Sequence, residues 1–299
     1  MKPRSKIFDT TRGALAAGLL SAVKHIDRKR SANFAGAFMR KVGPLLPEHS
    51  VGRENLRAAY PSKGAAEIEQ ILAGVWDNLG RVAVEFAHLD EFSLEGAGRQ
   101  TADVITYAPE MADRYRRMVE NNKPMLGFGA HVGNWELPAV VAKALVPQSA
   151  VLYRRPNIPP ISDIIVKLRT PLMGELVASG LDAPVKLARL VQAGTHVGML
   201  VDQHVTKGVE VIFFGRRCRA NPLIAMIARQ HECPIHGLRV VRKPDGNSFW
   251  VEITDPIDPP RDAEGRIDIR GTMQAITSVV EAWVREYPAQ WLWLHRRWR

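Results

Sequence analysis

The sequence predicts an α/β fold, in which a mostly parallel sheet is flanked by helices and preceded by a helical N-terminal region. Apolar residues recur at helical spacing from Thr11 to about residue 122, whereas short apolar runs alternate with helical patterns after residue 123. The chain has 299 residues, of which 46% are hydrophobic and 24% charged, as in a folded globular protein. We therefore divide it into an N-terminal region (1–122) and an α/β core (123–299) that together form one continuous structural domain.

The helical prediction for the N-terminal region is clearest between residues 68 and 89. Apolar residues there lie three and four positions apart, which places them on one stripe of a helix. They are Ile71, Leu72, Val75, Leu79, Val82 and Phe86. Prolines at positions 44, 47 and 61 interrupt the apolar pattern.

The core is predicted to alternate between strands and helices. The predicted strands are 125–128, 149–153, 175–178, 196–201, 209–213, 235–241 and 249–254. The predicted helices are 136–145, 162–170 and one that Asp182 caps and that runs to residue 193. A turn at 244–247 joins the last two strands as a hairpin. Ligands of such sheets bind at the carboxyl ends of the strands, so motifs at these ends are candidates for a site.

The charge balance predicts an anionic partner. Lys and Arg total 41 against 31 Asp and Glu, giving a net charge of +10 and a pI near 9.9. Nucleic acid, an anionic membrane surface, a phosphorylated ligand and an acidic carrier protein all fit this excess. The two cysteines have no metal-binding or CxxC spacing, so we predict neither a disulfide framework nor a metal site, and a reducing environment.

An apolar run at 13–26 lies between basic residues. Its 14 or so residues are fewer than the roughly 20 that a membrane span needs, and no secretory cleavage site follows it. A helix lying on an anionic membrane surface and a core helix are both compatible with this pattern. The N-terminal region is accordingly predicted to associate with a membrane without a confident span.

His131 and Glu136 are the candidate catalytic residues. A neutral imidazole can take a proton from a hydroxyl while a carboxylate orients the ring and stabilises its protonated form. The spacing alone is weak, since His49 and Glu54 share it. His131, however, follows a predicted strand and precedes Gly133, which permits a tight turn. The context therefore favours His131 over His49.

Further polar candidates follow other predicted strands. Arg154 and Arg155 come after the strand at 149–153, and their guanidinium groups suit a phosphate or carboxylate. Asp202 follows the strand at 196–201, and because no further metal ligands accompany it, we interpret it as a polar residue that shapes the site. Three arginines after Gly215 could extend an anion-binding rim or be solvated loop charges: Arg216, Arg217 and Arg219.

The segment 291–299 interleaves tryptophans with cations. Such a pattern suits a membrane interface, where indoles lie at headgroup depth and arginines meet phosphates. It also suits single-stranded nucleic acid, whose bases stack on aromatic side chains. A tail that packs its tryptophans onto the core is a third alternative.

Taken together, six blocks resemble the lipid A late acyltransferase family, the bacterial lauroyl or myristoyl acyltransferases of lipid A biosynthesis. The blocks are ENLRAAYP (54–61), HVGNWE (131–136), YRRPN (153–157), VDQ (201–203), FFG (213–215) and QWLWLHRRWR (290–299). They occur in the expected order over about residues 50–299, and the combination is much more specific than any one block.

The resemblance implies a glycerolipid-acyltransferase-like fold at the cytoplasmic face of the inner membrane. It also implies an acyl carrier protein thioester as donor and a lipid A precursor, a phosphorylated glycolipid, as acceptor. His131 and Glu136 match the catalytic motif, with His131 as general base and no covalent acyl-enzyme. Substrate binding falls to Asn134, Arg154, Arg155, Arg169, Asp202 and Gln203. No cofactor is implied. The anionic partners are then the carrier protein, the acceptor and the inner leaflet.

Two other functions stay open at this point. An acyltransferase of the same fold could use a lysophospholipid or a glycosylated phosphatidylinositol as acceptor. A nucleic-acid-binding protein would also use the basic balance and the aromatic tail, and its binding would weaken steeply with salt. The order of the motifs argues against nucleic acid as the partner.

Overall fold

The computed structural model of the chain describes residues 20–94, 103–107, 111–120, 123–146, 148–155 and 159–298, together with residue 18. The α-helices are α1 (Arg28–Val42), α2 (Pro47–Ala59), α3 (Ala65–Glu85), α4 (Met111–Glu120), α5 (Leu137–Leu145), α6 (Pro159–Arg169), α7 (Ala183–Gln192), α8 (Leu223–His231) and α9 (Ile269–Glu286). The strands are β1 (Phe92–Leu94), β2 (Asp103–Tyr107), β3 (Leu126–Gly129), β4 (Ser149–Tyr153), β5 (Glu175–Ala178), β6 (His196–Leu200), β7 (Val209–Phe213), β8 (Arg216–Ala220), β9 (Ile235–Arg242) and β10 (Phe249–Ile253).

An eight-stranded sheet forms the centre of the fold, in the order β1-β2-β10-β9-β3-β6-β4-β5. Its strands pair in parallel except for the antiparallel pair of β9 and β10, which the turn at 244–247 connects. The α/β class, the mostly parallel sheet and the helical N-terminal region are therefore confirmed. Because β3, β6 and β4 are parallel neighbours, their carboxyl ends meet at one edge of the sheet.

Two hydrophobic clusters pack on opposite faces of this sheet. On one face, Phe128 of β3 stacks on Trp283 of α9, with ring centroids 5.5 Å apart, and Leu187 of α7 belongs to the same cluster. On the other face, α5 and β9 supply Val141 and Val240 to the second cluster. Burial on both faces explains why the central strands are short, nearly continuous apolar runs.

The prediction that the chain is helical as far as residue 122 is wrong at two places. β1 and β2 are strands that pair with each other, and β2 also pairs with β10 at the edge of the main sheet. They have three and five residues, which is too few to show a period, and β10 comes from the far end of the chain. Strands from both sides of residue 122 thus share one sheet, and the division into two regions stays a prediction.

The apolar run at 13–26 is only partly described. Residues 13–17 and 19 lie outside the described residues, and residues 20–24 are helical. Within the described part of the chain, no helix combines the length and apolar character that crossing a bilayer requires.

β7 was expected to join the main sheet, but it forms a separate antiparallel ribbon with β8. β8 was not predicted, because three of its five residues are arginines and the sequence suggested a basic loop. Arg217 on this ribbon pairs with Glu210 across it, and Arg216 lies over the Trp298 ring. These partners favour a structural ribbon over an anion-binding rim.

The C-terminal segment packs onto the core, which was the third alternative for its tryptophans. Trp291 and Trp293 are almost completely buried. Arg297 is buried as well, and its Nη1 donates to the Arg219 carbonyl oxygen at 2.6 Å. The tail therefore has its aromatic surface inside the protein.

Candidate active site

The turn after β3 carries the HVGNWE block and depends on Gly133. This residue has a φ of +59°, and a Cβ added to it would lie 2.1 Å from the Val240 carbonyl oxygen. Asn78 on α3 donates from Nδ2 to the Gly133 carbonyl oxygen at 2.9 Å, and the Gly133 amide donates to Gln290 at 3.0 Å. The turn is thus fixed by backbone geometry and by two distant parts of the chain.

The C-terminal segment completes this turn. The Leu292 amide donates to the His131 carbonyl oxygen at 3.1 Å, and Val132 forms an isolated antiparallel bridge with Trp291. The backbone at His131 and Val132 is therefore paired with residues 291 and 292 of the C-terminal segment.

His131 forms its ion pair with Asp202, at the carboxyl end of the neighbouring strand β6. His131 Nδ1 donates to Asp202 Oδ1 at 2.8 Å, and the His131 amide donates to Oδ2 at 2.8 Å. Trp291 Nε1 donates to the same Oδ2 at 2.8 Å. Since a carboxylate only accepts, the proton of a neutral His131 lies on Nδ1, and Nε2 carries the lone pair.

Burial and charge act in opposite directions on the His131–Asp202 pair. Burial alone would lower the pKa of His131, but the charge and hydrogen bond of Asp202 outweigh it and raise that pKa above its ordinary value of 6.5. Glu136 adds a smaller contribution in the same direction. Burial would raise the pKa of Asp202, yet His131 holds it far below its usual range. Asp202 is therefore ionised at neutral pH.

His131 Nε2 faces a cavity, and Gln203 lies next to it on that side. Gln203 Nε2 lies 3.2 Å from His131 Nε2, so the amide can donate to the imidazole lone pair. His131, Gln203 and Glu136 all line the same cavity. This side of the imidazole is thus presented to a ligand, while the other side is buried against Asp202.

Glu136 forms a bidentate pair with Arg169, the last residue of α6. Arg169 Nε donates to Oε2 at 2.8 Å and Nη2 donates to Oε1 at 2.6 Å. Among the described residues, the hydrogen bonds of the Glu136 carboxylate go to Arg169 and not to His131. The expectation that Glu136 orients the imidazole is therefore wrong, since Asp202 occupies that position. Glu136 is close enough to act on His131 through its charge.

Asn134, predicted to bind substrate, is fully buried behind the site. It donates from Nδ2 to Glu85 Oε2 at 2.8 Å and accepts from the Glu136 amide at 3.1 Å. Arg242 of β9 binds both Glu85 oxygens, with Nη2 at 2.9 Å from Oε2. Its Nε also donates to Asn78 Oδ1 at 2.9 Å. Asn134 thus positions the turn, and neither it nor Asp202, which is also buried, lines the cavity.

A cavity of about 600 Å³ extends from His131 between the sheet and α5. Its floor is the sheet face that carries Val151, Gly127, Gly198 and Leu238, and Ala139 of α5 faces that floor. The cavity follows β4 from its last to its first residue, a length of about 13 Å. Its lining is predominantly apolar over this length.

Two glycines create room on this floor. Gly127 and Gly198 are partners in the register of β3 and β6, so both lack a side chain at the same level. A Cβ added to either would meet nothing closer than 3.8 Å. The space above them is therefore part of the cavity.

The inner end of the cavity carries polar groups beside apolar ones. Ser149 Oγ is buried there without a hydrogen-bond partner among the described residues. His196 Nδ1 accepts from the Met125 amide at 3.2 Å, and His236 Nδ1 donates to the Thr254 carbonyl oxygen at 3.0 Å. Burial lowers the pKa of both histidines, which keeps them neutral. Met125 and Met173 also line the cavity at this end.

The mouth of the cavity carries the predicted arginines. Arg154 and Arg155 follow β4, line the opening and are exposed. Arg155 Nε donates to the Tyr153 hydroxyl at 3.4 Å. Arg154, Arg155 and Gln203, which follow strand ends, thus surround one opening together with Arg169 at the end of α6.

His49 is a structural residue. Trp76 Nε1 donates to His49 Nδ1 at 3.0 Å, and His49 Nε2 lies 2.9 Å from Glu69 Oε2. The preference for His131 over His49 is consistent with these contacts.

Sequence reasoning missed Glu85, Arg242 and Trp291 as supports of the site. Glu85 gave one signal, a carboxylate in the mostly apolar stretch VAVEFAHL.

The family model for bacterial lipid A biosynthesis acyltransferases matches residues 1–299, the whole chain. A comparison with curated proteins finds no match. The match agrees with the resemblance that the six sequence blocks indicated, and with an α/β fold whose strand ends carry His131, Arg154 and Asp202. The chain therefore belongs to the bacterial lipid A biosynthesis acyltransferase family.

Proposed function

We propose that this chain transfers an acyl group from an acyl carrier protein thioester to a hydroxyl of a lipid A precursor, with His131 as general base. The observation that carries the proposal is the His131–Asp202 pair at the mouth of a long apolar cavity. Asp202 fixes the proton on Nδ1, which leaves the Nε2 lone pair facing the space where a hydroxyl would lie.

The reaction is a direct displacement at the thioester carbonyl. Nε2 of His131 takes the proton of the acceptor hydroxyl as its oxygen attacks the carbonyl carbon and the C–O bond forms. The C–S bond then breaks, and the departing sulfur takes the proton from the imidazolium. Asp202, held ionised, stabilises this imidazolium between the two steps.

The cavity suits the acyl chain of the donor. Its glycine floor and alanine-lined roof offer hydrocarbon contacts over about 13 Å from His131 inward. Ser149, His196 and His236 place polar groups at the inner end of this surface, so a hydrocarbon chain gains less by reaching that level. These features support an acyl chain of medium length, of the lauroyl or myristoyl kind.

The mouth of the cavity suits anionic groups on both substrates. Arg154 and Arg155 are exposed beside the opening, and Glu136 holds the Arg169 fork in place. Guanidinium groups bind phosphates bidentately, which supports a phosphorylated glycolipid acceptor. The net charge of +10 supports an acidic carrier protein as donor.

Glu136 has two tasks in this proposal. Its charge adds to that of Asp202 in raising the pKa of His131, and its carboxylate orients Arg169 toward the opening. His131 and Glu136 thus act together, although Asp202 provides the hydrogen bond to the ring. We place the reaction at the cytoplasmic face of the inner membrane, where carrier protein and lipid precursor meet.

The test is an assay of the purified protein with acyl carrier protein thioesters, read by thioester loss and by product mass. His131→Ala should lose at least about 10³-fold in turnover and remain folded. His25→Ala, which changes an exposed histidine, is the matched control. Undiminished turnover by His131→Ala would exclude the proposed base. Acylation of a lysophospholipid and not of the lipid A precursor would exclude the proposed acceptor.

A further inference from the structure

Helix α1 packs two small residues against α3 and exposes two phenylalanines. Ala32 and Gly36 face α3, where a Cβ on Gly36 would lie 2.5 Å from Asp77 Oδ1. Phe34 is 72% exposed and Phe38 is 50% exposed. A helix on the surface of a water-soluble protein shows the opposite arrangement. The close approach of α1 to α3 therefore leaves the phenylalanines with no place in the core.

The exposed large residues form one continuous stripe. Phe34 and Phe38 are one turn apart and stack with ring centroids 6.2 Å apart. Leu45, just past the helix, is 81% exposed and continues the stripe at helical spacing. Contiguous apolar surface of this kind marks an interaction site.

Cations lie within the same stripe. Arg30 is one turn before Phe34, and Lys41 lies between Phe38 and Leu45; both are exposed. The 15 residues of α1 include no Asp or Glu. Four of its five basic residues are exposed: Lys29, Arg30, Arg40, which pairs with Asp77, and Lys41; Arg28 is buried beside Glu85. The exposed side of α1 is therefore cationic.

We propose that this stripe, the α1 outer face formed by Arg30, Phe34, Phe38, Lys41 and Leu45, docks on the interface of an anionic lipid bilayer. Aromatic and aliphatic side chains would enter the boundary between headgroups and acyl chains, and the cations would meet lipid phosphates. A second copy of α1 fits this face poorly, because it would bring cations against cations. This inference rests on the proposed function, because it names the surface that would hold the enzyme at the membrane. Lipid binding is measured independently of acyl transfer.

The test uses the full-length protein and co-sedimentation with phospholipid vesicles. One set of vesicles is phosphatidylcholine alone, and the other contains phosphatidylglycerol as the anionic lipid. The Phe34→Ala/Phe38→Ala double variant should bind the anionic vesicles about 100-fold more weakly, about tenfold for each ring. Lys41→Gln should weaken binding about fivefold, and this difference should shrink at high salt.

Leu181→Ala is the matched control, since it removes another fully exposed large apolar side chain outside α1. It should bind as the unchanged protein does. Every variant alters an exposed side chain, so circular dichroism and acyl transfer to detergent-dispersed substrate should stay unchanged and show that the fold is intact.

Two results would overturn the proposal. One is a Phe34→Ala/Phe38→Ala protein that sediments with anionic vesicles as well as the unchanged protein does. The other is light scattering that shows a lipid-free dimer which this double variant dissociates, because the stripe would then be a protein interface. Failure of vesicle binding with normal acyl transfer would reject the docking surface and leave the proposed function standing.

Discussion

Replacing Asp202 with Asn should inactivate the enzyme through the proton on His131. Asp202 Oδ2 accepts from two N–H groups, the His131 amide and the Trp291 indole, each at 2.8 Å. An asparagine must keep its carbonyl oxygen at this position, so its NH₂ group falls where Oδ1 faces His131 Nδ1. The amide then donates to Nδ1, and the imidazole proton moves to Nε2. The atom that should accept the hydroxyl proton is no longer a base.

The loss of charge adds to the loss of the correct tautomer. Two unit charges about 4 Å apart near a protein surface interact by about 4 kcal/mol, which corresponds to about 10³ in rate if the imidazolium forms in the transition state. The same exchange in serine hydrolases with a related triad lowers turnover about 10⁴-fold. We therefore expect Asp202→Asn to lower kcat by about 10³ to 10⁴, with KM for the acyl donor nearly unchanged.

The assay is thioester consumption at saturating donor, together with nitrogen NMR of the imidazole. The unchanged protein should show the proton on Nδ1 and the variant should show it on Nε2. Asp258→Asn, which changes an exposed carboxylate, is the control for the substitution itself. A folded Asp202→Asn protein whose kcat stays within about tenfold of the unchanged protein would refute the assigned role of Asp202.

Four further predictions follow from the same geometry. Because the pKa of His131 is raised above 6.5, kcat/KM should fall as the pH drops through a value above 6.5, where the base becomes protonated, and a pH profile checks this. Gly198→Val should shorten the longest acyl chain that the enzyme accepts. The valine side chain would close the part of the floor inward of Gly198, which spans two residues and about 6.6 Å, or about five methylenes. Product masses from carriers with different chains would show the change. Arg169→Lys keeps the charge but loses the bidentate geometry, so kcat/KM for the acceptor should fall about tenfold, measured in steady state. Arg242→Met leaves the Glu85 carboxylate buried without its main partner, and chemical denaturation should report a loss of about 3 to 5 kcal/mol in the free energy of unfolding.

Local patterns in the sequence predicted the elements whose boundaries are set locally. The strands at 149–153, 175–178 and 209–213 begin and end at the predicted residues. Each is a short apolar run between turns, so the backbone has few alternatives. β1 and β2 have apolar residues but are too short to show a period, and β8 is mostly arginine, so pairing with their partner strands defines all three.

The carboxylate partner of His131 could not be found by spacing. Asp202 is 71 residues away and reaches the imidazole because β6 is the neighbour of β3. Glu136 lies on the next turn but directs its oxygens to Arg169. Strand order in the sheet, which local sequence does not encode, therefore decided which carboxylate pairs with the base. The catalytic roles of His131 and Glu136 stay predictions until they are assayed.

Burial distinguishes the residues that support the site from those that line its opening. Asn134 and Asp202 belong to recognisable blocks, as do Arg154 and Gln203, and the resemblance assigned substrate binding to all four. In the structure the first two are enclosed and hydrogen-bonded to protein groups, whereas the other two line the opening. The distinction depends on Glu85, Arg242 and Trp291, which approach from remote parts of the chain.

The contact between the C-terminal segment and the histidine turn couples the base to the packing of that segment. Leu292 and Trp291 hold the His131 backbone and Asp202, yet neither belongs to the eight-stranded sheet. The sheet face that forms the cavity floor needs β9 but not these two residues. Loosening of residues 291 and 292 would therefore disturb the alignment of the base while leaving the cavity floor in place.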